Sequence, residues 1–288
     1  MDFVDPILEL IRRTSTDLSP DVVDAITRGK DKEAQGSNAR NTLDKILENI
    51  ELARKKSAPI CQDTGFHIHY VHYPKGYPQN EIIDGIKKAT IKASELYYLR
   101  PNAVHPITGK NSGNNIGMRF PNIHLEEWDK DHFEFRLMLK GGGSENCGIQ
   151  YTLPDTSLGA GRDLEGVKKC IVDAVFKAQG KGCAPGIVGC GIGGDRTTSL
   201  ELSKLMLFRK VDDKNEDETL SAVEDEMYGK LNELNIGPMG FGGKTTVLGV
   251  KIGTYHRHPA TFYVSVSYMC WACRRRVMTL KGGVLQYD

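Results

Sequence analysis

"GIVGCGIGGDRTTSLELSKLMLF", residues 186–208, decides what kind of fold this chain can build. It opens with an apolar run short enough for a buried strand, breaks at a glycine pair, and resumes with apolar residues at helical spacing. Gly189, Gly191 and Gly194 also satisfy G-x-G-x-x-G, the spacing of a dinucleotide-binding turn. That reading requires an apolar second strand ending in an acid that can hold a ribose. The chain runs instead into "RKVDDKNEDE", residues 209–218. A strand–loop–helix unit of a mixed sheet is the main expectation. A nicotinamide-dependent enzyme is its competitor.

Downstream, "TTVLGVKIG" (245–253) and "ATFYVSVSYM" (260–269) read as strands, the second delivering Cys270. Upstream, a helix near 164–178 precedes the opening stretch, and "HFEFRLMLK" (132–140) is a strand that runs into "GGGSEN". Residues 101–122 lack periodicity and are rich in Gly, Asn and Pro, as long functional loops often are. "NEIIDGIKKATIKASELYYLR" (80–100) is a helix halted by Pro101, and "FHIHYVHY" (66–73) alternates as a strand does. The first 56 residues read as three helices, over "VDPILELIRR", "SPDVVDAITRG" and "NTLDKILENIELARKK". The fold class expected is α+β: a mixed β-sheet packed with helices, with a helical N-terminal region. One large domain over 1–288, or two intimate lobes, is the expected organisation. The charge-rich run 210–226 is expected on a solvated face, and Arg274–Arg276 at a solvated helix start.

A formal net charge of +1 offers no general attraction to nucleic acid or an anionic membrane. No stretch approaches the roughly 18 apolar residues of a membrane span. "MDFVDPILEL" has acids where a secretory signal has a basic segment, so a soluble cytoplasmic chain is expected. Seven cysteines, at 61, 147, 170, 183, 190, 270 and 273, are an odd number, widely scattered. They do not look like a disulfide framework. In a reducing compartment they are buried fillers, nucleophiles or metal ligands.

Three glycine-rich stretches follow strands or turns: "DTG" (63–65), "GGGS" (141–144) and "GIGG" (191–194). Glycine lets backbone N–H groups approach a bound anion, so together they suggest a site for carboxylates or phosphates. "CWAC" (270–273) with Cys183 and Cys190 could close a structural zinc site, although a spacing of seven between the latter two is unusual. His67 and His69 share one strand face and could join Cys61 at a zinc; partly buried hydrogen-bonding histidines are the plainer reading. In "HRHP" (256–259), His258 stands just before a buried strand, where catalytic bases and ordinary loop histidines both occur.

Four motifs in order, "APICQDTG" (58–65), "KGGGSEN" (140–146), "GCAPGIVGCGIGG" (182–194) and "YMCWACRR" (268–275), resemble those of the class I iron–sulfur fumarate hydratase alpha subunit and the related L(+)-tartrate dehydratase alpha subunit. The resemblance runs over essentially the whole chain and corresponds to the N-terminal catalytic portion of longer members. It implies a [4Fe–4S] cluster held by Cys61, Cys183 and Cys270. Three thiolates leave one iron open as a Lewis acid, where four would close the cubane. The reaction implied is reversible dehydration of a 2-hydroxydicarboxylate, (S)-malate to fumarate or L(+)-tartrate to oxaloacetate. Asp63 and His258 match the family's acid–base positions, and Gln62, Asp63, Arg100 and Gly143 its substrate contacts. A separate beta subunit and an alpha2beta2 assembly are implied as well. Cys273 departs from the expected pattern; it, Cys147 and Cys190 receive no role.

Overall fold

The computed structural model describes residues 2–288. In chain order the elements are α1 (Val4–Thr16), α2 (Pro20–Lys32), α3 (Asn38–Lys56), β1 (Phe66–Pro74), α4 (Gln79–Glu95), β2 (Asn122–Trp128), β3 (Phe133–Lys140), α5 (Gly142–Glu145), β4 (Ile149–Thr152), α6 (Leu164–Ala178), β5 (Gly186–Ile192), α7 (Arg196–Met206), α8 (Glu218–Glu233), β6 (Val247–Thr254), β7 (Tyr263–Met269), β8 (Arg275–Lys281) and β9 (Val284–Tyr287). The α+β class is as expected. The chain forms two compact units: residues 2–19, 48–142 and 274–288 in the first, and 20–47 with 143–273 in the second.

The first unit carries a five-stranded sheet in the order β2-β1-β3-β8-β9, parallel between β1 and β2 and antiparallel elsewhere. Its helical cover follows from the apolar spacing of α1 and α4, which bury Ile7, Leu10 and Ile11 and Ile82, Ile86 and Ala89 against Val71, Phe135, Leu137 and Met278. At Gly85 the helix comes so close to Phe3 that an added Cβ would stand 2.8 Å from the Phe3 Cβ. β2, β8 and β9 are strands that the sequence reading missed.

The second unit has a four-stranded sheet, β4-β7-β5-β6, in which only β5 and β6 run parallel. Helices α6 and α8 bury Val167, Ile171, Leu220 and Met227 on its core, with Val188, Val250 and Val266. Gly189 and Gly191 lie inside β5, and a Cβ on them would meet Ser203 O at 2.1 Å and Ser199 O at 2.3 Å. These glycines let α7 lie directly on the strand. The dinucleotide motif is therefore a packing device here.

Two surface expectations are corrected. Arg274, Arg275 and Arg276 are buried and stand at the start of strand β8, not at a solvated helix. The 210–226 run is not one solvated face: Asp217 caps α8 by accepting from the Thr219 and Leu220 amides. Glu224, two turns further on, is buried and accepts from Arg209, Asn215 and the Ile252 amide. Among the described residues no helix is long and apolar enough to cross a membrane.

Candidate functional site

In the first unit the turn at 60–65 is fixed from several sides. The Ile60 amide donates to Ser15 O at 3.0 Å, and Asn49 Nδ2 donates to Ile60 O at 2.9 Å. Ile60 is buried while Cys61, the next residue, stays half-exposed. Asp63 closes an Asx-type turn, its Oδ1 accepting from the Gly65 amide at 2.9 Å. Its Oδ2 accepts from the Gly142 amide at 2.7 Å, and its carbonyl from Arg274 Nη1 at 2.6 Å. Gly65 has φ +80° and lies against β3, where a Cβ would stand 2.6 Å from Lys140 C. Only glycine fits.

Thr64, fully buried, accepts at Oγ1 from the Arg100 amide at 3.1 Å and from Asn102 Nδ2 at 2.9 Å. Arg100 Nη1 in turn donates to Gln62 O at 3.1 Å. The sequence-predicted residues Cys61, Gln62, Asp63 and Arg100 are thus brought together. Sequence reasoning missed Thr64, Asn102 and Arg274, which hold that turn. Asn115 orders the loop beyond them, accepting from the Asn102 amide at 2.6 Å and donating to Ser94 Oγ and Arg100 O. Ile107 and Met118, on the same loop, remain almost wholly exposed.

His67 and His69 differ from expectation. Both are fully buried, and among the described residues neither ring nitrogen of either has a hydrogen-bond partner. Burial pushes both down to about 3; for His67, His69 and then the Arg274 guanidinium add to the effect. They are neutral at physiological pH.

In the second unit Cys183 takes a left-handed conformation, φ 56°, unusual for a residue with a Cβ. Its carbonyl accepts from the Trp271 amide at 3.1 Å, which ties its loop to the one carrying Cys270. Gly182 and Gly186 flank it, both pressed on the Tyr268 ring. His258 is exposed and lines a cavity of about 480 Å³ with Asp195, Tyr255, His256 and Tyr263. Its Nδ1 accepts from the Ala260 amide at 3.1 Å, which leaves Nε2 to carry the proton of the neutral ring. Gly143 opens this unit beside Lys181 O, and Cys147 Sγ donates to its carbonyl at 3.4 Å.

None of the seven cysteines forms a disulfide. They divide by environment. Cys61 and Cys183 are half-exposed on loops, and Cys270 and Cys147, each 9% exposed and also outside helices and strands, stand at the edge of the buried class. Cys170, Cys190 and Cys273 are sealed inside. Burial, with Asp155 and Asp173 adding, pushes the Cys170 thiol up to about 12, and burial likewise raises Cys190. A core thiol held protonated in mid-strand is a poor zinc ligand, which removes Cys190 from the zinc reading. Among the described residues no three His, Cys, Asp or Glu side chains are gathered to hold a single metal ion.

Comparison with known proteins matches residues 4–279 to the family described as fumarate hydratase (Fumerase). The chain belongs to that family. It is 49% identical over 270 residues to a Geobacillus stearothermophilus protein named "Putative fumarate hydratase class I", covering 93% of this chain and 52% of that one. It is 36% identical over 286 residues to the "Putative L(+)-tartrate dehydratase subunit alpha" of Methanocaldococcus jannaschii, with 98% of each chain covered. Against the L(+)-tartrate dehydratase subunit alpha of Escherichia coli K12, identity is 32% over 272 residues, 91% of this chain and 85% of that one. The chain therefore spans about half the length of the first relative and nearly all of the second.

Proposed function

We propose that the chain is the alpha subunit of an iron–sulfur hydro-lyase that interconverts (S)-malate and fumarate, working with a separate beta subunit in an alpha2beta2 assembly. The observation that carries this reading is the setting of Cys61 and Cys183: both are motif cysteines, half-exposed on loops, while Cys170 and Cys190 are sealed in the core. Cys61, Cys183 and Cys270 would hold the cluster. The donor set fits, because thiolates are the usual ligands of such clusters and a cubane takes each on a different iron, so the sulfurs need not converge as they would on one ion. When bound, a cluster with one uncapped iron supplies a Lewis acid that polarises the substrate hydroxyl.

The chain's own residues handle charge and protons. Dehydration removes a proton from the carbon beside a carboxylate and delivers another to the departing hydroxyl. Asp63 and His258 are the acid–base pair. Each Asp63 carboxylate oxygen accepts one backbone N–H and keeps a lone pair for a substrate proton. His258 offers an Nε2 donor, since its Nδ1 is engaged with its own turn. Arg100 presents a planar fork suited to one substrate carboxylate, beside Gln62, with Gly143 as a further backbone contact. A second carboxylate needs cations from elsewhere. The alpha-subunit names of two relatives support a partner that brings them, as do the exposed Ile107 and Met118 on an ordered loop. Malate is favoured over tartrate by the higher identity to the fumarate hydratase relative.

The test is anaerobic purification with the partner subunit, followed by assay on malate and on L(+)-tartrate. The expected result is a brown protein active on malate. Asp63→Asn should keep its colour and lose turnover by about 10²–10⁴-fold. A colourless protein, or one whose iron depends on Cys170 and Cys190 rather than on Cys61, Cys183 and Cys270, would overturn the assignment. Activity confined to tartrate would move it to the second substrate.

A further inference from the structure

We propose that Arg274 is the positioning residue for Asp63, a buried cation whose guanidinium holds the Asp63 carbonyl and so fixes the turn that presents its carboxylate for proton transfer. The inference rests on the acid–base role given to Asp63 above.

Arg274 lies within the first unit and is only 1% exposed. Its backbone is fixed before its side chain acts: the Leu139 amide donates to Arg274 O at 2.9 Å, extending the β3–β8 pairing by one residue. From there Nη1 reaches Asp63 O at 2.6 Å. A Cβ built on Gly141 would stand 3.1 Å from Asp63 Oδ2 and 3.5 Å from Arg274 Nη2, so both groups crowd the space a side chain there would fill. Gly141 leaves room for the carboxylate and the guanidinium to share one small chamber.

The guanidinium is also poorly satisfied, for Nε has no hydrogen-bond partner among the described residues. Burying a cation with so few partners is costly and makes little sense as a device for stability. Its neighbour His67 is neutral and adds no charge beside it. A guanidinium anchored at the edge of β8 and donating to the Asp63 carbonyl fixes the backbone from which that carboxylate reaches the Gly65 and Gly142 amides. Misplacing a proton-transfer group by about 1 Å can cost on the order of 100-fold in rate.

Three variants of the full chain, with cluster and partner, test this. Arg274→Met removes charge and hydrogen bond; Arg274→Lys keeps the charge without the fork; Gly141→Ala leaves Arg274 intact and pushes on Asp63 Oδ2. The expected result is a fall in kcat of about 100-fold for Arg274→Met and about 10-fold for the other two, with KM within about threefold and iron content unchanged. Peptide-resolved hydrogen exchange supplies a readout free of turnover. In Arg274→Met the Gly65 and Gly142 amides, which Asp63 accepts from, should exchange about tenfold faster, while the Leu137 and Met138 amides in β3 keep their protection. Unchanged exchange at Gly142, or a loss confined to KM, overturns the proposal. If the unaltered enzyme turns over neither malate nor tartrate, the hydro-lyase reading fails, and the exchange measurement still decides whether Arg274 positions Asp63. Should Arg274→Met fail to fold, Gly141→Ala carries the kinetic and exchange comparison.

Discussion

Glu224 in the second unit and Arg274 in the first are as buried as core leucines, at 5% and 1% exposure, and their surroundings treat them in opposite ways. Glu224 accepts from Arg209 Nη1 at 2.6 Å, Asn215 Nδ2 at 2.8 Å and the Ile252 amide at 2.7 Å. Arg209 also pairs with Asp213, which takes Lys251 Nζ as well. Every charge in that network has an opposite. Among the described residues Arg274 has one carbonyl partner and an unpartnered Nε, and the neutral His67 beside it has two unpartnered ring nitrogens. A closed polar network specifies structure. An open one, next to a carboxylate on a glycine-lined turn, is a site with work left for a ligand or a substrate.

Stability measurements on the two charges give the strongest way to break this contrast. Glu224→Gln leaves the half-buried Arg209 short of charge and should lower the unfolding free energy by about 3 kcal/mol. Urea midpoints would read that directly. Arg274→Met replaces a poorly satisfied cation with an apolar chain and should cost less than about 1 kcal/mol. Equal losses in the two variants would erase the distinction between a structural and a functional buried charge.

Acid titration sharpens the same contrast through His67 and His69. In the folded chain burial holds both near 3, against an ordinary value of 6.5. Below pH 6.5 the unfolded chain takes up protons that the folded chain refuses, so stability falls as pH drops towards 3. Each histidine contributes a slope of ~1.4 kcal/mol per pH unit, or about 2 kcal/mol between pH 6.5 and 5. His69→Leu should remove one share of that slope, seen as a smaller gap between unfolding free energies at pH 7.5 and pH 5. An unaltered gap means that the ring is charged or hydrated in the folded state.

What the sequence disclosed follows from where the determining forces are local. The strand at 186–192 and helix at 196–206 were legible because apolar spacing and the Asp195 cap act within a few residues. So was the 61–65 turn, where Asp63 and Gly65 close their own loop. Arg274–Arg276 was misread because three adjacent cations look solvated in one dimension. Only pairing with β3 and the partners Asp63, Ser19 and Asp17, more than two hundred residues away, make burial tolerable. The burial of Glu224 was hidden for the same reason, since its hydrogen bond to Ile252 joins elements 28 residues apart. Gly189 and Gly191 kept a competing dinucleotide reading open, their close approach to α7 being indistinguishable in sequence from a phosphate turn.

A smaller effect is expected where a charge sits between the two extremes. Glu134 in the first unit lies 3.4 Å from His72 Nδ1 and 2.7 Å from Arg136 Nε. His72 and Arg136 together hold its carboxyl down to about 2, against an opposing effect of partial burial. A lowered carboxyl stabilises the fold above its unfolded value of about 4.5, and that contribution disappears as pH falls towards 2. After discounting for solvent, it is worth about 1 kcal/mol. Glu134→Gln should therefore lose that much at pH 6 and only a small part of it at pH 2.5.

The smallest effect belongs to the exposed pair Lys214 and Asp225, which tests whether partners alone or burial with partners makes a charge structural. Lys214 Nζ stands 2.7 Å from Asp225 Oδ2, as short as the bonds to Glu224, but the two side chains are 68% and 67% exposed. Water solvates both ions before and after the pair forms, and holding two long side chains together costs entropy. Such a pair contributes about 0–0.5 kcal/mol, and salt screens what there is. Lys214→Ala should accordingly leave the urea midpoint within error of the unaltered chain, and the double variant with Asp225→Ala should show almost no coupling. A loss of 2 kcal/mol or more, well above the roughly 1 kcal/mol ceiling of exposed pairs, would mean that geometry rather than desolvation governs these networks. The unpartnered donors around Arg274 would then need a different explanation from the one their burial gives.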